Sequence, residues 1–147
     1  MTRAIIMADL SISAPSVSSG TNATSRAGIA GATITAGMPV YLDTASSNAV
    51  KPARANAVAT SKAIGIALNS ASSGQPVDYV TNDNEFTIGG TSAAGIILTV
   101  SASTAGGIAP SADMTSGNYV TVLGVMTSAT KAKIKCDQNL QIGVAKV

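Results

Sequence analysis

Apolar residues in this chain fall into short runs of strand length, broken about every ten positions by Gly, Pro, Ser, Asn or Asp. That spacing predicts a sheet protein, because strands end where turn residues supply unusual backbone angles or compete for main-chain hydrogen bonds. Residues 38–43 read as a strand, with Pro39 marking its start or an edge because proline cannot donate to a ladder. The unbroken apolar run 63–68 predicts a strand buried on both faces or a strand crossing the core. Ser72-Ser73-Gly74-Gln75 is a turn, 76–80 a strand, Asn82-Asp83-Asn84 a hairpin turn by composition, and 85–88 the returning strand. Further strands are expected at 96–100, 119–125, 131–135 and 140–144. Only 52–61 is rich enough in Ala for a turn or two of helix, with Pro52 at its first position. The expected class is all-β: a compact, tulip-like barrel or sandwich with at most one short helix.

The chain also resembles itself. One unit runs over about 37–89 and another over about 95–143. Gly37 through Leu42 answers to Gly95 through Val100, and Ala49-Val50-Lys51-Pro52 to Gly107-Ile108-Ala109-Pro110. Ala63 through Ala67 answers to Val122 through Met126, and Val77 through Val80 to Lys133 through Cys136. A unit of about 50 residues is too small to bury a full core, so two units sharing one core in a single domain, 28–147, is the economical arrangement. Gly65 and Gly124 then suit places where backbones approach closely or a strand must bend. Ahead of this body, 11–26 is a low-complexity Ser/Thr/Gly stretch with little apolar surface to offset ordering entropy. That composition fits either a disordered leader or, as expected for residues 1–27, an extended N-terminal arm that becomes ordered on a partner, with Ile5, Ile6, Leu10, Ile12 and Val17 as its apolar anchors. At about 3.3 Å per residue it would reach several tens of ångströms.

Composition narrows the chemistry. The chain has no His, no Trp and a single Cys, Cys136, which removes imidazole acids and bases, His-assisted nucleophiles, an internal disulfide and a thiolate zinc cage. Only 11% of residues are charged, against a usual share of about a quarter. Nine Lys and Arg over seven acids give a net charge of +2. With four scattered aromatics, Tyr41, Tyr79, Phe86 and Tyr119, that is too thin for a nucleic-acid groove. The mean hydropathy of +0.34 is high, yet no apolar run approaches the roughly 20 residues of a membrane helix. The first ten residues lack the apolar stretch of a secretory signal, so a protein made in the cytoplasm is expected. The acidic cluster Asp78, Asp83 and Glu85 reads as part of a hairpin rather than a metal site. Gly89-Gly90 and Gly106-Gly107 lack the Lys and Ser/Thr of a phosphate loop. No cofactor and no metal is expected.

Lys131, Lys133 and Lys135 alternate, so on a strand they share one face, while Ala132, Ile134 and Cys136 face the core. The lysine face is either a solvated face or a protected edge strand, or a contact for an acidic partner.

Ala36-Gly37, Pro39-Val40-Tyr41-Leu42-Asp43, Gly65-Ile66-Ala67 and Gly74-Gln75-Pro76-Val77 together resemble a pattern of bacteriophage head decoration (capsid cement) proteins of the lambda type. The second unit matches more loosely, at Leu123-Gly124-Val125 and Thr127-Ser128-Ala129-Thr130. The resemblance implies a non-enzymatic virion protein on the outer capsid surface, oligomeric and trimeric in the simplest case, which clamps neighbouring major capsid proteins. It also implies docking through an N-terminal arm. Under it, the expected capsid contacts are Arg3, Ile5, Ile6, Leu10, Ile12, Val17, Lys131, Lys133 and Lys135. The competing expectation is a tail- or fibre-associated module that binds a host surface glycan, for which exposed aromatic platforms would be the sign.

Overall fold

A computed structural model describes residues 9–136 and 143–146. The chain is mostly β, in a sheet that curls into a half-barrel. Its strands are β1 (Val17–Ser18), β2 (Thr24–Ile29), β3 (Pro39–Asp43), β4 (Ala49–Pro52), β5 (Gly65–Ala67), β6 (Pro76–Ile88), β7 (Ile97–Val100), β8 (Ile108–Pro110), β9 (Tyr119–Val120), β10 (Val122–Met126), β11 (Lys131–Lys135) and β12 (Val144–Ala145). One α-helical turn, α1 (Val58–Ser61), falls inside the expected helical stretch, but Pro52 ends β4 instead of opening a helix.

Ten strands form one sheet in the order β4-β3-β5-β6-β11-β10-β7-β8, with β1 and β2 on the other edge of β6; β9 and β12 pair separately. The order reads the same from both ends. β3 pairs with β4 and β5 as β7 pairs with β8 and β10, and the registers agree residue for residue. Val40 faces Pro52 and Gly65, as Leu98 faces Pro110 and Gly124. The turns that open the two units agree as well. Gly37 and Gly95 have φ of 95° and 88°, and their N–H groups donate to Ala67 O and Met126 O at 2.8 and 2.7 Å. Pairing departs from the sequence correspondence only in the last strand. Ile66 faces Val80 and Val125 faces Lys133, so Lys133 occupies the place of Val80 rather than that of Val77.

β6 is the spine. Residues 82–84 do not turn: they continue a 13-residue strand. Asp83 is the reason. Its side chain is buried, with Oδ2 accepting from Gly20 N–H at 2.7 Å and Oδ1 from Glu85 N–H at 2.9 Å. The local turn preference of Asn-Asp-Asn is thus spent on a bulge, visible as register shifts against β2 and β11.

The two faces of the first half bury different cores. Val40, Val50, Ala67, Val77 and Tyr79, with Ala30 and Ile34, form a small core. It is enclosed where Ala30 bridges Val50 and Gly31 N–H donates to Val50 O at 2.8 Å. Ile66 and Val80 point the other way, into a larger core with Phe86, Ile88, Leu98, Ile108, Leu123, Met126 and Ile134. This is the double-sided burial expected of 63–68.

Candidate attachment surface

The N-terminal stretch, where described, lies on its own body. Leu10 N–H donates to Ile108 O at 2.8 Å and Ser13 N–H to Gly89 O at 2.7 Å. β1 then pairs with residues 87–88 of β6, and β2 with residues 76–82. A segment with few apolar anchors is ordered here by main-chain hydrogen bonds, which any sequence can make. Of the expected contact residues in it, Leu10, Ile12 and Val17 are half-buried and pack against the larger core of the same chain. Ile12 and Val17 crowd so closely over Gly37 and Gly89 that a Cβ at either glycine would overlap them. Their apolar surface is therefore engaged within the chain rather than extended away from it. Arg3, Ile5 and Ile6 lie outside the described residues.

The lysine strand has the expected alternation. Ala132, Ile134 and Cys136 are buried, Lys131 and Lys133 are exposed, and Lys135 is half-buried. The expectation of an edge strand is corrected, because β11 sits between β6 and β10 near the middle of the sheet. Its lysines rise from a broad face. Lys131 lies in a cross-strand row with Thr87 and Ser18, and its Nζ donates to Thr87 Oγ1 at 3.2 Å. Lys133 lies in a row with Val125 and Ile97, the latter 44% exposed. Lys135 lies in a row with Asn82 and Thr24.

Elsewhere the described residues line open depressions. One of about 340 Å³ is lined by Ala102, Ser103, Asp113, Thr115 and Asn118. The Asp113 carboxyl there is pushed above its usual range, first by partial burial and then by repulsion from Asp9. Asp9 is itself tied down by Ser101 Oγ, which donates to both its oxygens at 2.7 and 2.8 Å. A second depression of about 290 Å³ lies at the mouth of the small core between Arg26, Leu42, Ile64, Tyr79, Thr81 and Cys136. Burial raises the Tyr79 phenol above its ordinary value, against the pull of the Arg26 charge. At the β3–β4 turn, Lys51 Nζ donates to Asp43 Oδ2 at 2.7 Å, which lowers the carboxyl and raises the ammonium.

Among the described residues, no three His, Cys, Asp or Glu side chains gather as a metal site would require. Tyr79 and Phe86 are buried, and Tyr41 and Tyr119 are half-buried. No helix is long and apolar enough to cross a membrane among the described residues. Sequence reasoning missed the buried Asp83 and the Ile97–Val125 pair beside the lysines, because both depend on which strands lie side by side. No protein-family model and no curated protein matches the chain.

Proposed function

We propose that the protein is a non-enzymatic structural component of a phage virion. In this reading it attaches to the outer surface of the head and stabilises contacts between major capsid proteins. Its synthesis in the host cytoplasm and its action as a homotrimer belong to the same reading. The resemblance of the first unit to head decoration proteins suggests it, and one observation carries it physically. Both halves of the molecule are joined through the antiparallel pairing of β6 with β11, so a single sheet runs from β4 to β8. A load applied to one half passes to the other through main-chain hydrogen bonds rather than a hinge. That stiffness is what a clip across neighbouring shell subunits requires. Many weak contacts repeated by lattice symmetry would then add up to firm attachment.

The test is a cryo-EM comparison of heads of the encoding phage with and without the purified protein, beside sedimentation of the protein alone. The expected result is added density on the outer shell and a trimer, either free or on the particle. Heads that stay bare at saturating protein would overturn the reading. Bare heads together with binding to a host surface glycan would favour the tail- or fibre-associated module instead.

A further inference from the structure

The repeated pairing lets one half of the molecule act as the reference for the other. In the first half the row Pro39–Ile66–Val80 runs across β3, β5 and β6, and all three side chains are buried. The row in the same register of the second half is Ile97–Val125–Lys133, across β7, β10 and β11. There Ile97 is exposed, Val125 is half-buried and Lys133 is exposed. Positions that are core in the first half are thus solvent-facing at the same register of the second, on the sheet face turned away from the larger core, with a lysine where the first half has a valine.

Antiparallel sheets often leave one face wet, so openness alone proves nothing. The charge pattern goes further. Residues two apart on a strand are separated by roughly 6.5–7 Å, so Lys131 and Lys133 repel one another along one face. Among the described residues, the exposed acid nearest in register is Glu85, at the β6 bulge opposite Lys133. A protein with only 11% charged residues has placed three of its nine cations together beside exposed apolar surface.

We infer that the open face of the second half, centred on Ile97, Val125, Lys131 and Lys133, is the docking face for an acidic protein surface. Carboxylates on the partner relieve the lysine repulsion, and an apolar side chain of the partner covers Ile97 and Val125. Isologous pairing with a second copy of this chain would set lysine against lysine, which disfavours that occupant. The apolar pair disfavours a bare polyanion. The inference rests on the reading of the protein as a capsid attachment protein only in naming the capsid subunit as that acidic partner.

The experiment compares the full-length wild type with Lys131→Glu/Lys133→Glu, with Ile97→Ser, and with a control of equal charge, Lys62→Glu/Lys146→Glu, on exposed positions elsewhere. Each is measured on heads of the encoding phage and on surfaces coated with polyglutamate or heparin, after circular dichroism establishes that it folds. On heads, the lysine pair is expected to weaken binding about tenfold or more at roughly 0.05 M salt, with the gap closing near 1 M, where the Debye length is about 3 Å. Ile97→Ser is expected to weaken it at both salts, and the control to match wild type. If wild type binds heads and the lysine-pair variant binds equally well, the docking face is wrong while the capsid reading stands. If wild type does not bind heads, the capsid reading falls and the polyglutamate surface decides. Wild type eluting at higher salt than the lysine-pair variant, with the control beside wild type, supports the face, and coelution of all three overturns it. Retention on heparin well beyond that on polyglutamate overturns a protein partner in favour of a polyanion. Self-association that the lysine-pair variant abolishes overturns it in favour of a second copy.

Discussion

Asp83→Ala removes both acceptors that hold the bulge of β6 and the turn between β1 and β2. The wild-type carboxylate takes Gly20 N–H on one oxygen and Glu85 N–H on the other, at 2.7 and 2.9 Å, in a residue only 1% exposed. A hydrogen bond to a charged group contributes about 1.5–3 kcal/mol, and water reaches the partly buried Gly20, which puts that bond at the low end. The expected loss is therefore about 3–4 kcal/mol, or roughly 6–16 °C in Tm for a chain of this size. Asp83→Asn offers one acceptor oxygen to two N–H groups that approach different oxygens, so about half the loss is expected. Urea unfolding of the three proteins measures this. Native-state hydrogen exchange locates it, with the Gly20 amide and the β2 amides losing protection before the β10–β11 hairpin does. An alanine variant within about 0.5 kcal/mol of wild type, the usual range of an inconsequential surface change, would refute the reasoning. So would equal loss of protection in β10 and β2.

Two further outcomes follow from single residues. A Cβ at Gly124 would collide with the Lys133 carbonyl oxygen, whereas one at Gly117 meets nothing within 4 Å but sits at φ +93°. Gly124→Ala should cost about 1–3 kcal/mol by forcing β10 from β11, and Gly117→Ala about 1 kcal/mol from backbone strain alone. A Gly124→Ala variant that melts clearly above Gly117→Ala would contradict this. Asp113, whose carboxyl titrates above its usual value through partial burial and Asp9, is less favourable ionised in the folded state than in the unfolded state. Stability linked to it falls as pH rises from the unfolded to the folded pKa. Asp113→Asn should therefore raise Tm at pH 7, with the gain shrinking as pH drops below the folded value. A gain that grows on acidification would reverse the assignment.

Local pattern by itself determined a good deal of this protein. Alternation placed Ala132, Ile134 and Cys136 inward and the lysines outward, because side chains on a strand must alternate. The unbroken run at 63–68 announced burial on both faces, and β5 is buried throughout. Gly65 and Gly124 were legible as close approaches; a Cβ on Gly65 would lie 2.5 Å from Val80 O. What only the tertiary structure decided are the features whose partners lie far along the chain. Asn-Asp-Asn carries a turn preference, and a bond from Gly20, 63 positions away, holds it in a strand instead. The Ser/Thr-rich stretch reads as a free arm because its side chains bring little energy, yet its peptide groups find an open strand edge along β6. That both halves share one register, so that a valine in one faces core where a lysine in the other faces water, follows from long-range pairing that no local window contains.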